Sequence, residues 1–152
     1  MNIVVDDLRG PEIAALLEAH LDLMRSQSPP ESVHTLDLDS LRQPDVTFWT
    51  AWEGGYLLGC GALKQMQNGH GEIKSMHTAK AARGKGIAAK LLAHLEDHAR
   101  SKGLTRLSLE TGSQDGFTPA RALYGKFGYA VCPPFGDYVE DPNSTFMTKQ
   151  LA

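Results

Sequence analysis

The chain has 152 residues, of which 41% are hydrophobic and 22% are charged. A chain of this length buries about 68 to 70% of its unfolded surface, and this composition excludes collagen-like, disordered and disulfide-rich proteins. With 15 Lys and Arg against 18 Asp and Glu, the formal net charge is -3, which argues against nucleic-acid or anionic-lipid binding driven by overall charge.

The first part of the chain predicts a strand, a helix and a loop. Residues 3–5 are β-branched, and over 13–24 apolar side chains recur at the spacing of one helix face. The polar stretch 26–31 contains two adjacent prolines, which cannot continue a helix and therefore predict a surface loop. A short helix is expected at 37–42.

Three strand-like runs follow, at 46–53, 56–63 and 72–78. The first two are joined by Gly54-Gly55, a dipeptide suited to a tight hairpin turn, and Asn68-Gly69 marks a second turn. The three runs therefore predict a meander of consecutive antiparallel strands.

The pattern then changes to a helical period. An apolar stripe predicts a helix over 84–101, stopped by a glycine, and a strand follows at 104–111. Because a crossover helix separates them, this strand and 72–78 are expected to be parallel. A short helix is predicted at 119–127 with proline in its first turn. Two last strands are predicted at 129–132 and 144–151. We expect one α+β domain covering residues 1–152.

The chain shows no pattern typical of a membrane or an export segment. The uncharged run 56–63 is much shorter than the roughly 20 apolar residues needed to cross a bilayer. The first residues have no basic region followed by an apolar core, so we expect a cytoplasmic protein. Cys60 and Cys132 are expected there as reduced packing residues.

The segment 80–90 is the sharpest local feature, because it carries four positive charges and no negative one. It lies at a predicted helix N-terminus, where the first N–H groups have no partner inside the helix. Gly84 and Gly86 allow a ligand to approach the backbone closely. Together these features predict an anion site of the kind that binds phosphates. The alternative is that the glycines only shape a turn and the lysines form a solvated face.

A dinucleotide-binding oxidoreductase is a competing interpretation of the same glycines. Gly84-x-Gly86-x-x-Ala89 fits the relaxed fingerprint, and Glu110 lies at a suitable distance. In such a fold, however, the first glycine follows the first strand almost directly, whereas 79–83 intervene here. Too little chain remains after Gly84 for the second half of a doubly wound sheet.

Three motifs together resemble the GNAT superfamily of acyl-CoA-dependent N-acetyltransferases. They are the phosphate-loop pattern at 83–88, Met76-x-Thr78 before it, and the segment 120–129, which ends in Gly-Tyr. The resemblance is strong over 72–129 and only topological before that. It implies a mixed, mostly antiparallel sheet of about seven strands with a splayed parallel pair. One departure is Phe117, which replaces an Asn that many members carry.

The resemblance also implies how acetyl-CoA would bind as co-substrate. The diphosphate would lie on the amides of the phosphate loop, and the pantetheine arm would pair with the end of the preceding strand, where an N–H near Met76 or His77 would donate to the thioester carbonyl. The implied cofactor-binding residues are Met76, His77, Thr78, Arg83, Gly84, Lys85, Gly86, Ile87 and Ala88. No metal is expected.

Catalytic and acceptor residues are likewise implied by the resemblance. Glu72 matches the family's catalytic glutamate and would act as the base, usually through water; the alternative is a strand-end carboxylate paired with Lys74. Tyr124 matches the usual acid for the leaving thiolate, although it could equally be a packing residue. His34 and Tyr138 lie in segments where the family builds its acceptor pocket.

Other polar residues have simpler interpretations. Strand alternation predicts that His77 lies on the face opposite Glu72, so that it contributes a backbone contact. His94 and His98 are expected on a solvated helix face rather than at a zinc site. Arg121 and Lys126 are equally compatible with phosphate contact and with solvation.

The sequence thus predicts an acetyl-CoA-dependent N-acetyltransferase acting on a small-molecule amine by direct attack in a ternary complex. A catalytically silent acyl-CoA-binding module is the alternative. We expect neither nucleic acid nor membrane as a partner, and a homodimer is common among proteins of this resemblance.

Overall fold

The computed structural model describes residues 1–27 and 38–151. In these ranges the elements are β1 (Asn2–Val5), α1 (Pro11–Gln27), α2 (Leu38–Leu41), β2 (Val46–Glu53), β3 (Tyr56–Gln65), β4 (His70–Thr78), α3 (Ile87–Ser101), β5 (Arg106–Gly112), α4 (Thr118–Lys126), β6 (Ala130–Cys132) and β7 (Ser144–Gln150). Short 3-10 turns at Lys80–Ala82 and Asp115–Phe117 precede α3 and α4.

The strands form one seven-stranded sheet in the order β1-β2-β3-β4-β5-β7-β6. Every neighbouring pair is antiparallel except β4 and β5, which are parallel because α3 carries the chain back along the sheet. The last strand, β7, lies between β5 and β6. The α+β class and the mixed sheet of seven strands are confirmed.

Left-handed turns join the strands of the meander. Gly54 and Gly55 have φ values of 58° and 83°, and Asn68 and Gly69 have 61° and 72°. Positive φ at both central residues is the geometry of a type I′ hairpin turn, whose twist matches that of the flanking strands. The predicted turns are therefore correct, and β3 and β4 are each two residues longer than the predicted runs.

Helices cover both faces of the sheet and bury two apolar clusters. The larger cluster joins α3 and α4 to one face, and the smaller joins α1 and α2 to the other. Leu91, Leu92, Leu95 and Ala99 on α3 are completely buried, as the predicted stripe requires. Burial of each such leucine contributes about 1.5–3 kcal/mol. None of the helices in the described ranges is long and apolar enough to cross a membrane.

Two expectations about α3 were wrong. The helix begins at Ile87 rather than at residue 84, because Gly84 and Gly86 have φ values of 80° and 77°, outside the helical region. His94 and His98 do not form a solvated face. Their rings pack edge-on against the buried Trp49, with centroids 5.6 and 4.8 Å from it.

Candidate active site

The two parallel strands separate at one end of the sheet. The pairing of β4 with β5 ends at Ile73 and Leu109, although β4 continues to Thr78 and β5 to Gly112. The edge of β4 beyond Ile73 therefore has no partner in β5, so its polar backbone groups can pair with a ligand. The predicted splayed pair is confirmed.

The gap opens into a cavity of about 540 Å³, which we call the reaction cleft. Residues from α1, α2, β4, β5, α4 and the loop between β6 and β7 line it. The polar and aromatic side chains among them are His20, Ser40, Glu72, Lys74, Ser75, His77, Thr78, Arg83, Glu110, Thr111, Phe117, Tyr124 and Tyr138.

A β-bulge in β4 determines which of its side chains lie on the same face of the sheet in the cleft. Ala62 of β3 pairs with Lys74 and Cys60 pairs with His77, so that Gly61 faces two residues of β4. Ser75 within this bulge has a φ of 55°. A bulge adds one residue to one strand and so reverses the alternation of side chains beyond it.

The bulge corrects the expected orientation of His77. Residues opposite one another in an antiparallel pair share a face, and Glu72, Lys74 and His77 lie opposite Lys64, Ala62 and Cys60 of β3. Since these three β3 residues alternate along one face, Glu72 and His77 both face α1.

Met76 takes the other face, where it packs against the cluster under α3. An added Cβ on Gly61 would come within 2.5 Å of the Met76 sulfur, so the Met76 side chain would have to shift if residue 61 were larger.

Glu72 is a buried carboxylate with two partners at one of its oxygens. The residue is 5% exposed. Its Oε2 accepts a 2.6 Å hydrogen bond from the Tyr138 hydroxyl. The Lys74 ammonium lies 3.6 Å from the same oxygen. Among the residues that the structure describes, no group bonds to Oε1. The carboxylate is thus held through one oxygen while the other can accept a proton.

Tyr138 was expected to contact an acceptor, and it does line the cleft. Burial, together with the charge of Glu72, raises the pKa of Tyr138. Its hydroxyl therefore stays protonated and donates to the carboxylate. In this arrangement Tyr138 fixes the position of Glu72.

Tyr124 lines the cleft from the other face of the sheet. It belongs to the cluster under α3 and α4, is 6% exposed, and packs edge-on against Tyr129 with ring centroids 5.8 Å apart. Its hydroxyl makes no hydrogen bond to residues 1–27 or 38–151, and burial raises its pKa. The phenol thus remains protonated, and Glu72 and Tyr124 approach the gap from opposite faces of the sheet.

The phosphate loop has the geometry of an anion site. Gly86 caps α3 in the left-handed conformation without any side-chain cap, and no heavy atom lies within 4 Å of an added Cβ at Gly84 or Gly86. The first N–H groups of α3 therefore have no acceptor within the helix. Arg83 and Lys85 are exposed beside them. Open backbone, unpaired amides and cations together fit a diphosphate.

The structure adds one residue that sequence reasoning missed. His20 of α1 lines the cleft, and its Nδ1 lies 3.0 Å from the Nδ1 of His77. Burial lowers the pKa of each histidine to about 4, with a further contribution to His77 from the Arg83 cation. Both rings are neutral near pH 7. The two residues are far apart in the chain, and no local pattern connects them.

Several expected contacts have other outcomes. His34 lies outside the described residues. Arg121 donates to the backbone carbonyls of Gly112 and Gln114, so it ties the end of β5 to α4 instead of lying free in solvent. The ring of Phe117 lies directly over Gly112, where an added Cβ would overlap it. No group of three or more potential metal ligands occurs in the described part of the chain.

Comparison with known proteins adds independent information. The model of the acetyltransferase (GNAT) family matches residues 13–129. The chain is 54% identical over 151 residues to a protein of Bacillus subtilis (strain 168) described as an uncharacterized N-acetyltransferase, YsnE. That match covers 99% of this chain and 100% of the relative.

Solved structures share the same architecture. A Klebsiella pneumoniae protein, described provisionally as an acyl-CoA N-acyltransferase, is 32% identical with a TM-score of 0.80, over 99% of this chain and 97% of that one. A Bacillus subtilis acetyltransferase solved in complex with CoA has a TM-score of 0.74 over 99% of both chains. Its identity is 17%, so this second likeness concerns the fold alone.

Proposed function

Because the chain belongs to the acetyltransferase (GNAT) family, we propose that it transfers the acetyl group of acetyl-CoA to a primary amine of a small molecule. One observation carries this proposal above the others. A buried carboxylate, Glu72, and a buried phenol, Tyr124, line one cleft from opposite faces of the sheet, at the point where two parallel strands separate. Acetyl transfer needs a base that removes a proton from the attacking amine and an acid that protonates the leaving thiolate, and the two groups are on opposite sides of the cleft.

The binding of acetyl-CoA follows from two features of the backbone. The unpaired amides that begin α3 would bind its diphosphate, with Arg83 and Lys85 adding positive charge. The free edge of β4 around Met76 to Thr78 would pair with the amides of the pantetheine arm. The co-substrate supplies an activated acetyl group as a thioester.

The residues of the cleft would then transfer protons and stabilise the negative charge that develops on the thioester carbonyl. Since an amine is protonated near pH 7, Glu72 would accept one proton from the ammonium, directly or through water. An N–H near Met76 or His77 would donate to the thioester carbonyl as it gains negative charge. Tyr124 would give its proton to the departing thiolate. The overall balance is RNH3⁺ plus acetyl-CoA giving RNH-acetyl, CoA-SH and one H⁺.

A second candidate is an acyl-CoA-binding module without catalysis. The contacts of Glu72 favour it, because a carboxylate that is bonded by Tyr138 and paired with Lys74 can have a purely structural role. Both candidates use the same phosphate loop. They differ in whether acetyl transfer takes place at all.

Thiol release from acetyl-CoA, measured with a panel of amino acids, polyamines, arylalkylamines and aminoglycosides, tests the proposal. With the best amine we expect Glu72→Gln to lower kcat by about 100-fold, without changing the Kd of CoA measured by calorimetry. The matched control is Glu18→Gln on the exposed side of α1, which should retain full activity.

The outcomes separate the two candidates. Tight binding of CoA with no thiol release from any amine would support the silent module. Absence of CoA binding would contradict both candidates.

A further inference from the structure

His20 and His77 form a paired contact in the wall of the reaction cleft. His20 is on α1 and His77 is on β4, and their rings meet with centroids 4.7 Å apart and the two Nδ1 atoms 3.0 Å apart. At that distance one Nδ1 donates a hydrogen to the other. Each neutral imidazole carries a single ring proton. Therefore one histidine is protonated at Nδ1 and has a bare Nε2, while its partner is protonated at Nε2.

The position of His77 along β4 distinguishes it from Glu72. The thioester carbonyl is expected near the N–H groups of Met76 and His77, and the ring of His77 is attached to that segment. Glu72 is four residues before Met76 and five before His77, so its Cα is at most roughly 13 and 17 Å from theirs at about 3.3 Å per residue of strand. A nitrogen bonded at the carbonyl is therefore closer to the His77 ring than to Glu72. Because of the bulge, the His77 ring projects to the acceptor side, as Glu72 does.

A route to solvent exists beside the same ring. A second cavity, which we call the outer groove, lies between α1 and the end of β4. Glu12, Lys80 and Arg83 are its charged lining residues, and all three are exposed. His77 lines both the outer groove and the reaction cleft. A proton held on this ring can thus be released to water.

We propose that His77 accepts the second proton of the reacting amine, and that His20 is a positioning residue that keeps the Nε2 of His77 bare. The inference rests on the proposed function, because it concerns the same acetyl transfer. After the C–N bond forms, the nitrogen–hydrogen bond breaks and the proton adds to the Nε2 of His77, which becomes an imidazolium and then releases it to water. Glu72 has accepted the first proton and Tyr124 has supplied one to the thiolate; when Glu72 returns its proton to water and Tyr124 regains one from water, the net result is one proton released per turnover.

The charges around the pair are consistent with a neutral acceptor. Arg83 faces His77 from the phosphate loop, and Glu72 and Lys74 lie on the same face of β4. Glu12 and Lys80 lie in the outer groove. With burial and Arg83 lowering the pKa of His77 to about 4, its lone pair is available throughout the neutral range.

Nitrogen-15 NMR of the free protein tests the tautomers without any substrate. We expect His77 to be protonated at Nδ1 and His20 at Nε2 at pH 7. The opposite assignment, or a charged ring at either position, would overturn the inference while leaving the proposed function intact.

Kinetics with the best amine of the panel test the role itself. We expect His77→Asn and His77→Ala to lower kcat by about 100-fold, with an unchanged Kd for CoA as evidence of folding. Added imidazole should restore part of the activity of His77→Ala, because it can occupy the space left by the ring. The control His94→Asn, at a ring packed against Trp49, should retain its kcat.

Two variants of His20 separate positioning from catalysis. His20→Asn keeps a hydrogen-bond acceptor near the Nδ1 position, so its kcat should stay within about threefold of the parent. His20→Leu removes the acceptor and should lose about tenfold. Unchanged kcat in both His77 variants, or a loss that imidazole does not reverse, would refute the role of His77. A parent protein that acetylates no amine would instead refute the proposed function, and this inference with it.

Discussion

The hydroxyls of Tyr124 and Tyr138, two phenols that line the reaction cleft, have different partners. Tyr138 donates to the Glu72 carboxylate at 2.6 Å, whereas Tyr124 makes no hydrogen bond within the described residues. Burial raises the pKa of both. A buried hydroxyl without a protein partner contributes little to stability, since an unmade hydrogen bond stabilises nothing. A ligand in the cleft can supply the partner that the Tyr124 hydroxyl lacks among the described residues.

Tyr124→Phe removes only this hydroxyl. We expect kcat for acetyl transfer to fall about 10- to 100-fold, because the thiolate loses its proton donor. The melting temperature should stay within about 2 °C, since no protein hydrogen bond is lost. Steady-state kinetics and thermal unfolding check both expectations, with Tyr56→Phe at an exposed position as control. An unchanged kcat would show that Tyr124 is a packing residue.

At the scale of the elements, glycine is favourable for stability in the phosphate loop and unfavourable in α4. Gly86 has a φ of 77° with open space around its Cβ position, whereas Gly125 lies within α4, also with open space. An L-residue pays about 1–2 kcal/mol in the left-handed region. In a helix, glycine is instead the costly residue, by about 0.5–1 kcal/mol.

The two alanine variants should therefore move stability in opposite directions. We expect Gly86→Ala to lower the free energy of unfolding by about 1 kcal/mol and to weaken CoA binding, because the first amides of α3 are displaced. Gly125→Ala should raise the free energy of unfolding by about 0.5 kcal/mol and leave CoA binding unchanged. Urea titration and calorimetry measure both quantities. Equal CoA affinities would mean that the loop does not bind the diphosphate.

The elements were predictable where a local rule determines them. Gly54-Gly55 and Asn68-Gly69 require particular turns, and the stripe through Leu91 and Leu95 requires a buried helix face. The separation of β4 from β5 was expected only from the family resemblance.

The bulge was not predicted, although a signal for it was present. Gly59 and Gly61 occur within a strand run, and interior glycines of strands often mark a bulge or a close approach. The predicted orientation of His77 was wrong because the prediction assumed regular alternation along β4 and did not include the bulge. The contact of His20 with His77 is set by the docking of α1 on β4, which no local pattern specifies.

For the whole molecule, the same two histidines make stability depend on pH. Each has a pKa lowered from 6.5 to about 4 in the folded state. Below pH 6.5 the unfolded chain binds protons that the folded one does not, so stability is complete above that pH and falls toward pH 4.

We expect the free energy of unfolding to fall by about 2 kcal/mol from pH 6.5 to pH 4 through this pair. That is less than the full linkage, because both side chains are only partly buried. Chemical denaturation across this range measures it. The fall should be smaller in His77→Asn and should persist in His94→Asn. A parallel decline in the parent and in His77→Asn would assign the pH dependence to other groups.

The insertion of β7 between β5 and β6 also orders events during synthesis. Until β7 has emerged from the ribosome, β5 and β6 lack the strand that pairs with both of them. Their unpaired edges can then associate with other chains. The loop that carries Tyr138 is anchored on one side by β7. Because Tyr138 packs against Phe146 of β7, we expect Glu72 to acquire its phenol partner only once β7 has been synthesised and has paired with β5.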